Sequence, residues 1–207
     1  MGVNSNTSST DAVRGSRDVA IALFDDVEIL DFCGPYEVFS VANRYRDESA
    51  FNVYTVAETD RVNARNGLSV VVDFLLDSAP RCDVVLVPGG VGTRAVLKNE
   101  TYLNWIKRSC DDAELILSVC TGSLLLGRLG LLEGLRATTH HSAFQLLREI
   151  APSTEICEHE RYVDNGRVIT SGGIAAGIDM SLYVVSRLLG KSAAIATARH
   201  MEYPWNP

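Results

Sequence analysis

Short apolar runs alternate with segments of helical periodicity along most of the chain. Residues 19–24, "VAIALF", form a continuous apolar run that is typical of a buried parallel strand. The segment "GPYEVFSVANRY" that follows places its apolar residues at helical spacing. Gly34 precedes it and Pro35 suits a first helical position, so we expect this helix to begin at Pro35.

The same alternation continues to the C-terminus, and it predicts the fold class. Turn signals stand at Asn66-Gly67 and at Asp164 to Gly166. Strands that alternate with helices predict a mostly parallel sheet covered by helices on both faces, a three-layer, flavodoxin-like α/β sandwich. Further strands are predicted at 51–57, 68–74, 82–88, 113–119 and 136–140 and in a hairpin within 155–173, and helices at 100–110, 122–129, 142–150 and 176–199, the last interrupted at Gly190.

The first 17 residues lack this pattern. They are rich in Ser, Asn and Thr, and we expect a disordered tail over 1–17 and a single domain over 18–207. No segment has the length of an apolar membrane span or the form of a secretory signal. We therefore expect a soluble protein located in the cytoplasm.

Composition narrows the function classes. The 207 residues carry a formal net charge of −7 without a cluster of Lys and Arg, which argues against a nucleic-acid partner. The five cysteines are an odd number without a CxxC pair, so neither a disulfide framework nor a zinc site is indicated. This usage is typical of a reducing compartment, and we expect neither a metal nor a cofactor.

Four segments that could carry chemistry follow the ends of predicted strands. They are residues 28–35, 89–92, 120–121 and 171–173. Because the carboxyl ends of parallel strands meet at one edge of a sheet, these segments are expected to converge on one site.

Cys120 is the candidate nucleophile within that site. It ends an apolar strand and precedes Thr121-Gly122, a pattern that favours a sharp strand-to-helix turn and an exposed reactive sulfur. The N-terminus of the following helix would favour the thiolate. The alternative is an inert sulfur in the core, which is the usual environment of a lone cysteine between apolar runs.

Three further groups accompany Cys120. Asp31 lies between apolar residues before the expected helix start, where a carboxyl with a raised pKa could transfer a proton; the alternative is a simple N-cap. The Gly89-Gly90 pair could present N–H groups to an oxyanion. His140 and His141 stand at the end of a short strand, with a role that the sequence leaves open.

Taken together, these motifs resemble a known superfamily. The segments "LDFCGPYEVF", "DVVLVPGG", "SVCTGSLLLGRLGLLEG", "RATTHH" and "TSGGIAAGIDM" occur in the order found in the ThiJ/PfpI superfamily, whose members have the class I glutamine amidotransferase-like fold. The match covers nearly the whole chain after residue 18. Within the superfamily, the pattern is most similar to the isonitrile hydratase branch, in which Thr follows the Cys.

The resemblance implies roles for individual residues. Cys120 would be the nucleophile, Asp31 the acid and base, and Thr121 the neighbour that positions them. Some other branches carry His directly after the Cys, and many members carry Glu in place of Asp31. Against the isonitrile hydratase branch, His141 stands where a Trp is expected. Oxyanion-type or substrate-binding roles are implied for Gly89, Gly90, Gly122, His140, His141, Gly173 and Ile174.

The function that the resemblance implies is that of a cysteine-dependent lyase. It would add water to an isonitrile through a thioimidate on Cys120 and release an N-substituted formamide. The alternatives are a non-catalytic redox or small-molecule sensor, and a glyoxalase- or deglycase-like hydrolase. We also expect a small-molecule substrate and a homodimer, as is common in the superfamily, and no contact with nucleic acid or membrane.

Overall fold

The computed structural model describes residues 15–45 and 48–206. Most of the predicted tail, residues 1–14, lies outside the described residues. Arg17, which the sequence analysis placed in the tail, is the first residue of β1.

Seven strands form the main sheet in the order β10-β11-β7-β6-β1-β2-β5. Every neighbouring pair in it is parallel except β10 and β11, which are antiparallel. Two small pairs, β3–β4 and β8–β9, lie outside it. The strands are β1 (Arg17–Ala22), β2 (Phe51–Ala57), β3 (Arg61–Asn63), β4 (Ser69–Val71), β5 (Phe74–Leu75), β6 (Val84–Val87), β7 (Leu115–Val119), β8 (Arg136–Ala137), β9 (Glu155–Ile156), β10 (Tyr162–Asp164) and β11 (Val168–Ser171).

The helices form two packed groups around this sheet. Helices α1, α6 and α7 contact one another, and α2 to α5 form the second group. The α/β sandwich predicted from the sequence is therefore confirmed. The helices are α1 (Ile29–Ala42), α2 (Thr93–Val96), α3 (Glu100–Asp112), α4 (Gly122–Arg128), α5 (Phe144–Ile150), α6 (Ala176–Leu189) and α7 (Lys191–His200).

The central strands β6 and β7 are buried along their whole length, as their continuous apolar sequences predict. Their register aligns Val84 with Leu115 and Val87 with Ser118, so both strands end at the same edge of the sheet. This edge therefore receives the segments that follow β6 and β7.

The predicted bounds of three elements are wrong, and one of these elements, the strand predicted over 136–140, ends at Ala137. Helix α1 begins at Ile29 and contains Pro35 in its interior, so Asp31 belongs to the first helical turn and does not precede the helix. The sequence hides this start because the N-cap residue, Glu28, makes no side-chain capping bond. The single strand predicted over 68–74 is divided into β4 and β5, which belong to different sheets.

Candidate active site

Cys120 lies immediately after β7 in a left-handed backbone conformation, with φ of 56°. For a residue other than glycine this conformation costs about 1 kcal/mol, so its surroundings must hold it. The Cys120 N–H donates to the carbonyl oxygens of Ser171 at 3.1 Å and Gly172 at 3.2 Å. Its carbonyl accepts from the Thr139 hydroxyl at 2.8 Å. Both sides of the turn are therefore fixed by neighbouring segments.

Two glycines allow the turn to sit against the end of β6. A Cβ atom on Gly89 would lie 2.5 Å from the Thr121 nitrogen and 2.8 Å from the Cys120 Cβ. A Cβ atom on Gly122 would lie 2.0 Å from the Val87 carbonyl oxygen. Only residues without a side chain fit at these two positions, because such distances are below any normal contact.

The Thr121 hydroxyl joins the turn to the loop after β6. Its oxygen accepts the Gly90 N–H at 3.0 Å and donates to the Gly90 carbonyl at 3.1 Å. The Thr93 hydroxyl lies 3.3 Å from the same oxygen and donates to the Gly90 carbonyl at 2.8 Å. All these groups are buried. Thr121 thus positions the loop.

Asp31 reaches the site from the first turn of α1 and is fully buried. Its Oδ2 accepts the Gly89 N–H at 3.1 Å, whereas Oδ1 accepts no hydrogen bond of regular geometry from any described residue. Burial raises the pKa of Asp31 to about 7, and the charge of Glu28 adds to the rise; hydrogen bonds with the Cys120 thiol and the Gly89 and Ile174 N–H groups oppose it. Asp31 can therefore exchange a proton near neutral pH.

The Cys120 thiol differs from the activated thiolate that the sequence predicts. Burial raises its pKa to about 12, and the negative charge of Asp31 adds to the rise. The backbone N–H of Thr121 stabilises the thiolate but is outweighed. The expected thiolate is therefore wrong for the resting site, which holds a neutral thiol beside a carboxyl group.

The predicted oxyanion role of the glycine pair also needs correction. The Gly89 N–H is bound to Asp31, and the Gly90 N–H is bound to Thr121. Neither group is free for a substrate oxygen in this structure. The pair instead holds the acid and the turn in place.

The remaining predicted residues line the same site. A Cβ atom on Gly173 would lie 3.4 Å from the Cys120 Sγ and 2.2 Å from the His140 Cδ2, so the His140 ring closes one side. The rings of His140 and His141 lie with their centroids 4.2 Å apart and their planes tilted by 36°. Burial lowers the pKa of His140, as do the charges of His141 and Arg94. Ile174 is exposed and has a left-handed conformation, with φ of 45°.

Three residues of the site were not found from the sequence. Thr93 and Thr139 contribute buried hydroxyl groups, and Glu28 acts on the pKa values of both Asp31 and His140. Thr93 and Glu28 lie within or next to the segments that follow strands, which was an available signal. Thr139 carried no such signal, because its contact with Cys120 depends on the tertiary fold.

Among residues 15–45 and 48–206, no group of three or more His, Cys, Asp or Glu side chains could hold a metal ion. No helix in the same ranges is long and apolar enough to cross a membrane.

The fold and the site together define a class: α/β sandwiches with a cysteine on a strained turn and a carboxyl group from the first helix. The sequence profile of the DJ-1/PfpI family matches residues 17–187, and the chain belongs to this family.

Known relatives include both enzymes and regulators. The chain is 35% identical to the isonitrile hydratase of Pseudomonas putida over 185 residues, which cover 89% of this chain and 78% of that protein. It is 27% identical to the transcriptional regulator GbdR of Pseudomonas aeruginosa, covering 92% of this chain but only 52% of the regulator. A crystal structure of a ThiJ/PfpI family protein from Pseudomonas syringae matches with a TM-score of 0.83 and 30% identity, covering 93% of this chain and 77% of that one.

Proposed function

We propose that this protein is an isonitrile hydratase, in which Cys120 is the nucleophile and Asp31 transfers the protons. The observation that carries the proposal is the buried Asp31 carboxyl beside the Cys120 thiol, with Oδ1 accepting no hydrogen bond of regular geometry from the described residues. The 35% identity to an isonitrile hydratase supports the same reaction.

The first step adds the thiol across one carbon atom. The terminal carbon of R–N≡C forms a bond to sulfur and a bond to hydrogen, which gives the thioimidate R–N=CH–S–Cys120. Asp31 as carboxylate takes the thiol proton while sulfur attacks, and Oδ1 delivers that proton to the carbon. A neutral thiol with an adjacent base suits this step, because the sulfur and the proton of the thiol both become bonded to the same carbon.

The second step releases the product. Asp31, again a carboxylate, takes a proton from water as the water oxygen attacks the thioimidate carbon, and passes that proton to the nitrogen, which gives R–NH–CH(OH)–S–Cys120. In the collapse of this intermediate Asp31 takes the hydroxyl proton, the C–S bond breaks, the N-substituted formamide leaves and the proton passes to the sulfur. The net reaction consumes one isonitrile and one water molecule.

Thr121 supports this function over the Cys-His branches of the superfamily. A His after the nucleophile would place a base there, whereas the Thr121 hydroxyl is bound to Gly90 and Thr93. In the proposed reaction Thr121 is a positioning residue, which leaves Asp31 as the base next to sulfur.

Turnover of cyclohexyl isocyanide tests the proposal directly. We expect N-cyclohexylformamide from the wild-type protein and none from Cys120→Ser. Absence of formamide from reduced wild-type protein would contradict it. Lactate from methylglyoxal in the same preparation would favour the glyoxalase-like alternative.

The second candidate is a non-catalytic small-molecule sensor, which the 27% identity to a transcriptional regulator favours. It predicts saturable binding of a small molecule without any product. The raised pKa of Cys120 argues against a sensor that responds to oxidation, because oxidation of a cysteine begins from the thiolate. A homodimer and a cytoplasmic location complete the proposal, and sedimentation of the purified protein tests the first of these.

A further inference from the structure

Arg94 lies at the edge of the candidate site, in the short helix α2, and is exposed. Its Nη1 donates to the Thr93 hydroxyl at 3.1 Å and approaches the Gly90 carbonyl at 3.4 Å. Among the described residues, no carboxylate lies within ion-pair distance of it, unlike Arg65 or Arg161, which face Asp26 and Asp179. The guanidinium is thus held in place by neutral groups and keeps its charge uncompensated.

The guanidinium is connected to the reactive turn. Both of its partners, Thr93 and Gly90, are also partners of the Thr121 hydroxyl. Burial is the main cause that lowers the pKa of His140, and the charge of Arg94 adds to it after that of His141; the His140 ring lies against Gly173 beside the Cys120 sulfur. Arg94 therefore acts electrostatically on the His140 side of the site.

Two other ionisable groups, Glu28 and His140, lie near the site. Glu28 acts on Asp31 and His140, and so is the opposing charge of the site. The lowered pKa of His140, caused chiefly by burial, favours its neutral form. Arg94 is then an exposed cation at the edge of the site, and its Nε and Nη2 make no hydrogen bond to any described residue, since both of its bonds come from Nη1. Those two groups form the edge of a guanidinium that binds a carboxylate through two parallel hydrogen bonds.

We propose that Arg94 determines specificity by binding an anionic substituent, such as a carboxylate, that the substrate carries several atoms away from its electrophilic carbon. Under the proposed function the substrate is then an isonitrile carboxylate. The binding role itself does not depend on the hydration reaction, since any electrophile that reaches Cys120 meets the same cation.

The test uses two thiol reagents of equal length and opposite charge, the 2-sulfonatoethyl and 2-(trimethylammonio)ethyl methanethiosulfonates. In each case the Cys120 thiolate attacks the sulfenyl sulfur, a mixed disulfide forms, and methanesulfinate leaves. The ratio of the two rates at Cys120, followed by mass spectrometry of its peptide, measures the charge preference. Arg94→Gln is expected to lower the ratio of anionic to cationic rates by about threefold or more. Glu28→Gln is expected to raise it.

Arg44→Gln is the matched control, because Arg44 is exposed and lies beyond the opposite end of α1, about 20 Å along the helix from Asp31. A ratio in Arg94→Gln that equals the ratio in Arg44→Gln would overturn the proposal. So would an equal kcat/KM of the wild-type protein for 3-isocyanopropanoate and its methyl ester. If no isonitrile is hydrated but the rate ratio falls in Arg94→Gln alone, the anion site stands and the hydratase function fails. If neutral isonitriles are hydrated but the rate ratio in Arg94→Gln is unchanged, the hydratase function stands and the anion site fails.

Discussion

The backbone N–H of Gly89 donates to Oδ2 of Asp31 at 3.1 Å, which joins the end of β6 to the first turn of α1. The same glycine lies against the turn that carries Cys120, where a Cβ atom would be 2.8 Å from the Cβ of that cysteine. Gly89 therefore sets the position of the carboxyl group relative to the thiol.

Gly89→Ala is expected to lower the thermal stability and to remove most of the activity. The added methyl group would meet the Thr121 nitrogen at 2.5 Å, so the loop must move away and carry the Asp31 contact with it. Thermal unfolding measures the first effect. Gly172→Ala is the control for stability, because its Cβ would have no neighbour closer than 3.7 Å. Equal melting temperatures for the two variants would contradict this account.

Asp31→Asn is expected to stabilise the fold, and more so at high pH. A carboxyl whose pKa rises from 3.8 to about 7 on folding binds its proton more tightly in the folded state. The contribution of Asp31 to the free energy of unfolding is thus fully present below pH 4 and is lost as pH rises through 7. The loss is up to about 4 kcal/mol, at 1.36 kcal/mol per pKa unit. The asparagine variant lacks this loss and keeps an acceptor for Gly89.

Chemical denaturation at pH 5 and pH 8 measures the difference. Glu37→Gln, on the exposed face of the same helix, is the control and should leave the pH dependence unchanged. A wild-type protein that is as stable relative to Asp31→Asn at pH 8 as at pH 5 would show that the Asp31 pKa is not raised.

Alkylation of Cys120 by iodoacetamide is expected to increase with pH up to at least pH 10. Its thiol pKa is raised to about 12, chiefly by burial and then by the charge of Asp31. Asp31→Asn removes that charge, so the variant should react faster than the wild-type protein at pH 8. A plateau near pH 7 in the wild-type profile would instead indicate a resting thiolate.

Thr121→Val is expected to destabilise the protein by about 1–3 kcal/mol, because the buried Gly90 N–H then loses its acceptor. Thr121→Ser keeps the hydroxyl and should recover most of this loss. The free energy of unfolding measures both variants. If Thr121→Ser lowers the free energy of unfolding as much as Thr121→Val does, the assignment of the effect to the hydroxyl is contradicted.

The sequence was sufficient to predict which segments form the site. Buried strands are visible as continuous apolar runs, and the carboxyl ends of parallel strands must meet, so Cys120, Asp31 and Gly89 could be placed together. The approximate bounds of α3, β7 and α4 followed from periodicity and agree with the structure. These features depend on local pattern and on rules that hold for any parallel sheet.

The electrostatics of the site could not be predicted in the same way. The thiol pKa depends on how deeply the turn is buried and on the distant Asp31, and neither is visible around Cys120. The N–H groups of Gly89 and Gly90 looked available because their partners lie 58 and 31 residues away in the chain. The start of α1 was missed because it carries no capping side chain, which left Pro35 as the strongest local signal.

The most direct test of the central claim is the rate of formamide production by Asp31→Asn, compared with the alkylation rate of Cys120 in the same preparation. If Asp31 transfers the protons, the variant loses roughly 100-fold or more of the hydration rate with cyclohexyl isocyanide, while its thiol is alkylated as fast as in the wild-type protein or faster. Hydration by Asp31→Asn at the wild-type rate would contradict the account.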